Sequence, residues 1–268
     1  MISIVMSYYN RRQHLINTLN SILQSRYTNY EVVVVDDGSS DEHRIEYLQD
    51  TYKFLKVIRI EPSEKNHTNP CIPTNIAIQN CIGDIIIIQN PECFHCDDIL
   101  TYTADNIKEN VYLAYTTVNK NVVDKLMFID WNIDYKQQLK YLVGDIDINK
   151  SLPQNHWYCH ERFRPKAYNF CTAILREDLK KLNGFDERYA YGVDYDDDEF
   201  LHRIIKMGMS VKFIGECLVI HQHHSSHYEI ISDKNLVNSI RKRNYEIYKN
   251  YTCKETEVFV NPDKIIVK

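Results

Sequence analysis

Short apolar runs recur along the first hundred residues, each closed by a polar cluster, and helical periodicity fills the gaps between them. Residues 3–7 read as a strand. Leu15, Leu19, Ile22 and Leu23 then share one face at helical spacing, and Asn10 is placed to cap that helix. Residues 30–35 are a dense β-branched run that breaks off at Asp36-Asp37-Gly38-Ser39-Ser40-Asp41. A run that is apolar on both faces belongs inside a parallel sheet, where both sides of the strand are covered. A helix over 42–53, a strand over 54–60, a polar loop over 61–69, a helix over 72–79 and a strand over 84–89 follow. The order β-α-β-α-β-α-β predicts an open α/β sheet whose site lies at the carboxyl ends of the strands.

Beyond residue 100 the pattern weakens. Residues 101–168 are irregular and rich in Tyr and Asn, and they hold both tryptophans, Trp131 and Trp157. A strand is expected over 169–175 and a helix over 176–183, stopped by Gly184. An acidic run over 194–199 leads into a helix over 200–207. Two short strands, 211–214 and 218–220, precede His221-Gln222-His223-His224. Residues 229–268 read as a helix with a charged tail. The expected division is 1–228 as one domain, with 1–100 and 101–228 as its two halves, followed by a 229–268 helical extension.

Composition narrows the chemistry. The 268 residues carry 32 Lys+Arg against 37 Asp+Glu, a net charge of −5. A mildly acidic chain lacks the basic surface that displaces counterions from nucleic acid. With only 7 glycines there is no glycine-rich phosphate cradle, which excludes the ordinary dinucleotide-binding and P-loop readings. The longest fully apolar run, 85–88, is far short of the ~20 residues of a membrane span. The amino-terminal residues lack the pattern of a secretory signal, so a cytoplasmic protein is expected. The eight cysteines follow no disulfide spacing and are expected as buried thiols.

Acidic and histidine clusters sit at the predicted strand ends. Asp36-Asp37 is either a polar turn or a carboxylate acceptor for a nucleobase or ribose. Asn90-Pro91-Glu92, just after a central strand, is either a surface turn or a set of hard oxygen ligands for a divalent cation. The run Asp194-Tyr195-Asp196-Asp197-Asp198-Glu199 holds more acids than a helix start requires, and crowded carboxylates raise one another's pKa as a general base needs. The histidine cluster offers imidazole to a metal or is structural. Cys93-Phe94-His95-Cys96 is a lone CxxC with no second half of a zinc site, and reads as packing at a helix start. Residues 151–170 hold Trp157 and Tyr158, whose rings could stack on the apolar face of a ligand, and Arg162 and Arg164, either of which could pair with an anion; the alternative is that all are ordinary core and rim residues.

Five segments occur in a telling order: SIVMSYYN (3–10), EVVVVDDGSSD (31–41), NIAIQNCIGDIIIIQNPE (75–92), GFDE (184–187) and DDDEFLHR (196–203). Together they resemble the family 2 glycosyltransferases of GT-A fold, over about residues 1–224. The resemblance implies a mixed, mostly parallel, open α/β sheet of Rossmann-like type. It also implies an inverting transfer of sugar from a nucleotide-sugar, a UDP-sugar being expected, to a hydroxyl of a glycan, glycolipid or protein-linked acceptor, as in polysaccharide biosynthesis.

Carried over by position, Asp37 matches the aspartate that bonds the uracil ring, and Tyr8 lies in the loop bordering the base. Asn90-Pro91-Glu92 stands where the family has DxD, so Asn90 would meet the ribose and Glu92 the Mn2+ or Mg2+ on the diphosphate. The departure from DxD puts the metal requirement in question. Asp197, with Asp196 beside it, matches the catalytic base, in a register set to within about one residue. His221 resembles the histidine that completes the metal site, with His223 as the alternative. Two competing readings are a catalytically silent nucleotide-sugar-binding scaffold and a sugar-phosphate nucleotidyltransferase, whose glycine-rich signature is missing. The basic set Lys234, Arg241, Lys242, Arg243 and Lys249 makes the last helix a candidate for peripheral membrane contact or homodimer formation.

Overall fold

The structure is a computed structural model that describes residues 1–153, 156–225 and 231–252. In chain order its elements are β1 Ile2–Tyr8, α1 Arg12–Leu23, β2 Tyr30–Asp37, α2 Leu48–Thr51, β3 Leu55–Ile60, α3 Cys71–Asn80, β4 Ile85–Gln89, β5 Cys93–His95, α4 Ile99–Asn106, β6 Val111–Lys120, α5 Val123–Leu126, α6 Tyr135–Val143, β7 Trp157–Cys159, β8 Cys171–Leu175, α7 Arg176–Leu182, α8 Asp196–Lys206, β9 Ser210–Gln222 and α9 Lys234–Thr252. The strands form one sheet in the order β3-β2-β1-β4-β8-β6-β9-β5, with β7 paired to β6.

The first four strands in space, β3-β2-β1-β4, are all parallel. Their apolar runs follow from that position, since a central parallel strand has no face left for water. Ile4 and Met6 of β1 and Val32 and Val34 of β2 pack on Leu15, Leu19 and Ile22 of α1. The alternate residues Val5, Val33, Val35, Ile86 and Ile88 pack on Ala77 and Ile78 of α3 and on Phe200 and Ile204 of α8. Burying each such side chain contributes roughly 1.5–3 kcal/mol. Antiparallel pairing begins where β8 joins β4, with Cys171 opposite Gln89. Since β8 enters at the edge where β4 leaves, the residues just before β8 and just after β4 share one rim. β9 runs parallel to β6 and brings His221 and Gln222 to that rim.

Several local expectations change. Asn10 does not cap α1; it adopts a left-handed φ of 53°, and its side-chain oxygen accepts from the Ser40 N–H instead. The helix expected over 42–53 is a single 3-10 turn and a single α turn, because the segment lacks a continuous apolar stripe. The irregular middle contains β6, buried over most of its length. The two short strands expected over 211–220 are one strand with a bulge: Tyr115 pairs with Ile214, and Thr116 with Leu218. The CxxC lies in and just after β5, with Cys93 paired to His221, not at a helix start. Seven cysteines, 71 to 217, are buried free thiols; Cys253 and the charged tail fall outside the described residues. Among the described residues no helix is long and apolar enough to cross a membrane.

One buried amide ties the two halves together. Asn75 on α3 is fully buried; its oxygen accepts from the Phe185 N–H at 2.8 Å, and its nitrogen donates to the Phe185 carbonyl at 2.9 Å. Gly184 makes this approach feasible: its φ is +69°, and a β-carbon there would lie 2.7 Å from the Asn75 oxygen. Asn75→Ala removes two buried hydrogen bonds and is expected to cost about 2–3 kcal/mol, read as a lower urea midpoint at unchanged slope. A cost under about 0.5 kcal/mol would show that the amide braces nothing.

Candidate functional site

The rim shared by β4, β8 and β9 opens into a cleft of about 830 Å³, within the range of small-molecule sites. Glu92, His221 and the Asp196–Asp198 run all line it, as do Asn90, Arg11, Tyr158, Arg164, Tyr168, Phe170, His223 and His224.

Glu92 follows β4 and leads into β5. The antiparallel pairing of β5 with β9 sets Cys93 against His221, so the residue before Cys93 falls beside the histidines. Glu92 is 2% exposed. Its Oε1 lies 2.8 Å from His224 Nε2, 3.2 Å from His221 Nε2 and 3.4 Å from Arg11 Nη1. Burial alone would raise its pKa; the Arg11 guanidinium and the two imidazole hydrogen bonds outweigh that and hold the carboxyl well below its usual range. Burial pushes the His221 imidazole down, toward the neutral form that binds metals.

Glu92, His221 and His224 each offer one ligand atom, all within 4.8 Å of one another. Two buried atoms of this set, Glu92 Oε2 and His221 Nδ1, have no hydrogen-bond partner. An orphaned carboxylate oxygen beside two imidazoles fits a divalent cation. His224 completes the set where His223 was the expected alternative; His223 is exposed and faces the Asn119 amide at 3.4 Å.

Across the cleft, the acidic run opens α8. Asp194 and Tyr195 both have left-handed φ, 62° and 69°, a strain of roughly 1–3 kcal/mol per residue that is characteristic of functional loops. Asp196 Oδ1 accepts from the Asn69 amide at 2.8 Å. Asp197 Oδ1 accepts from the Asn169 side chain at 2.7 Å and from its backbone N–H at 3.2 Å. Asp198 accepts from the Tyr168 hydroxyl. Asp196 and Asp197 are half-buried at the surface of the cleft but enclosed by protein behind it. Burial raises the pKa of both, and each neighbouring carboxylate raises it further.

Other expected site residues lie elsewhere. The Tyr8 ring is fully buried and donates its hydroxyl to the His43 carbonyl at 2.7 Å. Tyr9 is 44% exposed instead, with the Lys65 ammonium 3.9 Å above its ring. Asp37 is 5% exposed and does not line the cleft; its oxygens meet His67 at 2.7 Å and Lys65 at 2.8 Å. The same loop continues into Thr68 and Asn69, which do line it. Trp157 is core, its indole N–H bonded to the Lys150 carbonyl and its ring against His160 and Phe163. Arg162 is exposed and lies over Phe163, outside the cleft. Tyr158 lines the cleft, 4.6 Å from the His221 ring, and Arg164 rather than Arg162 supplies the nearby cation. The sequence reading missed Arg11 and Asn69, and it took in Tyr168 and Asn169 only as part of the 151–170 stretch; none of the four belongs to an acidic or histidine cluster.

A model of glycosyl transferase family 2 matches residues 3–168, and a model described as the N-terminal domain of galactosyltransferase matches residues 159–227. Glycosyltransferase GlyG of Streptococcus pneumoniae is 24% identical over 235 residues, 84% of this chain and 71% of that protein. An uncharacterized glycosyltransferase of Rickettsia felis is 26% identical over 129 residues, 48% of this chain but only 21% of that relative's length. The chain thus spans about a fifth of some curated relatives. The mannosyltransferase PcManGT from Pyrobaculum calidifontis, solved with GDP-Man and Mn2+, superposes with a TM-score of 0.57 at 17% identity, over 99% of this chain and 67% of that one. Residues 1–349 of Staphylococcus aureus TarS, solved with UDP-GlcNAc, give 0.59 at 17% identity, over 96% and 68%. These likenesses carry the fold, an open mixed sheet of GT-A type. With a family match over more than half its length, the chain belongs to glycosyl transferase family 2.

Proposed function

We propose that this protein transfers a sugar from a nucleotide-sugar, a UDP-sugar in the first instance, to an acceptor hydroxyl, inverting the anomeric carbon by single displacement. One observation carries the reading: a metal-competent set, Glu92, His221 and His224, and a carboxylate pair of raised pKa, Asp196 and Asp197, face one cleft. The relatives solved with GDP-Man and Mn2+ and with UDP-GlcNAc support a nucleotide-sugar donor.

Asp197 is assigned as the general base. Both of its hydrogen bonds from Asn169 go to Oδ1, and among the described residues none goes to Oδ2. The held oxygen fixes the carboxylate, and the other can take the acceptor's proton as the acceptor oxygen attacks the anomeric carbon. Arg11 lies on the Glu92 side, where a leaving diphosphate would gather charge. A divalent cation held by Glu92, His221 and His224 would supply Lewis-acid neutralisation of that charge when bound. Two imidazoles in the set favour Mn2+ over Mg2+, which prefers an all-oxygen shell. Asp37 would receive the base edge of the nucleotide in exchange for its Lys65 ion pair, with the Tyr9 ring already beside that ammonium. Tyr158, Tyr168 and Phe170 around Arg164 are assigned to the acceptor sugar.

The raised carboxyl pKa values have a stability consequence. In the folded state Asp196 and Asp197 hold protons that the unfolded chain has released, so the pair lowers stability as pH rises above about 4, the unfolded value. Asp196→Asn is therefore expected to raise the thermal midpoint at pH 8 and to leave it unchanged near pH 3, with about 2–4 °C expected per kcal/mol of repulsion relieved. Equal midpoints at pH 8 would mean the pair carries no stored repulsion.

Asp197→Asn is expected to lower kcat about 10²–10⁴-fold while leaving UDP affinity, measured by calorimetry, within about twofold. Turnover resembling the parent protein would remove Asp197 from the role. In the parent the acid limb of kcat is expected above the ordinary aspartate range, because Asp197 must lose its proton to act. Glu92→Gln is expected to weaken Mn2+ binding, titrated in the presence of UDP, by at least about tenfold. Unaltered Mn2+ binding in both Glu92→Gln and His224→Ala would refute the metal assignment.

A further inference from the structure

The sequence marks the last helix only by its basic residues, as a candidate for membrane contact or dimer formation. In the fold it has a different neighbour. Asn244 on α9 is fully buried. Its nitrogen donates to the Tyr189 carbonyl and to the Asp194 carbonyl, each at 3.0 Å, and its oxygen accepts from Arg243 at 3.0 Å. Two carbonyl acceptors and one guanidinium donor fix which way the amide points.

Gly192 lies directly against this amide: a β-carbon there would fall 2.7 Å from the Asn244 nitrogen, and nearer still to the rest of the group. The Gly192 φ of −138° suits any residue, so glycine is required here for space and not for conformation. On the far side, the Thr68 hydroxyl donates to the Gly192 carbonyl at 2.8 Å. Arg241 of α9 pairs with Asp194 at 2.9 Å, and the rings of Tyr245 and Tyr248 sit 5.5 and 5.7 Å from that of Tyr195. Asp194 and Tyr195 are the two left-handed residues that aim the chain into α8, whose first two residues are Asp196 and Asp197.

We infer that α9 is a clamp on the acidic loop and that Asn244 is its positioning residue, holding Asp194 and Tyr195 in their left-handed turn so that Asp197 enters the cleft in a productive direction. The inference rests on the reading of Asp197 as the base. Asn244 does not line the cleft; it acts through the backbone of residues 189–194. Glu92, His221 and His224 hang on β4, β5 and β9, which Asn244 does not touch. Loss of the clamp should therefore cost turnover and spare the donor side.

The test uses the full chain with Asn244→Ala, Gly192→Ala and the double variant. Each is measured for amide hydrogen exchange over residues 189–196, kcat, and donor KM. Asn244→Ala is expected to lose protection in that loop and at least about tenfold in kcat, with donor KM within about twofold. Gly192→Ala alone should be similarly damaged by the clash. The double variant should be no worse than Asn244→Ala, since the clash is gone, giving a strongly non-additive cycle. Unchanged kcat in Asn244→Ala, additive losses, or a fall of kcat and donor affinity together in step with the folded fraction would each overturn the clamp. If the parent protein moves no sugar from any nucleotide-sugar, the transferase reading fails, and exchange alone decides the clamp: protection retained over 189–196 in Asn244→Ala overturns it.

Discussion

An ionised carboxylate shut away from water must be surrounded by cations or hydrogen-bond donors, and Glu92 imposes that condition on everything around it. It sits 2% exposed at the end of a central strand, where an uncompensated charge would cost several kcal/mol. Arg11, His221 and His224 supply the compensation. The two histidines reach Glu92 because β4 and β9 both deliver their carboxyl ends to one rim, and Arg11 arrives from the turn between β1 and α1. The parallel pairing of β6 with β9, and the short antiparallel β5 beside it, follow the same requirement. Even so the compensation is incomplete, since Glu92 Oε2 and His221 Nδ1 stay unpaired. That shortfall is what the proposed divalent cation would fill.

The opposite wall of the cleft stores a different tension. Asp196 and Asp197 stand side by side, each hydrogen-bonded to one asparagine, Asn69 or Asn169. Those amides orient the carboxyls without cancelling their charge, so burial first, and neighbouring carboxylates after it, raise both pKa values. Such a pair reduces stability near neutral pH, and in the proposed reaction it would supply the base for the acceptor alcohol. The loop that bears them adds two left-handed residues, so this wall depends on packing from outside, and α9 with Asn244 provides it.

The first hundred residues were legible in the sequence for a physical reason. Its parallel strands are buried on both faces and therefore appear as unbroken apolar runs, as in residues 32–35 and 85–88. β6 escaped notice because half of its eight buried positions are Tyr or Thr, whose polar atoms are satisfied inside, as Tyr115 with Thr103 shows. β9 read as two strands because Gly215, Glu216 and Cys217 form the bulge between its halves. Tyr8 was placed in the wrong environment although strand alternation already put it with Ile4 and Met6 on the inner face; its neighbour Tyr9 is the exposed one. The charged site residues Glu92, Asp197 and His221 stood out as clusters at strand ends. Their partners did not: Asn69, Asn169 and Asn244 are single asparagines brought in from distant segments, and only tertiary contacts give them a role.

The central claim is that the metal set and the acidic pair serve a single reaction in one cleft. An anomalous difference map at the Mn edge, from crystals soaked with Mn2+ and UDP, tests it most directly. The account predicts one strong peak within ligand distance of Glu92, His221 and His224, with the diphosphate beside it on the Arg11 side and Asp197 facing it across the cleft. A peak on other residues, or a nucleotide lodged away from Asp197, would contradict it.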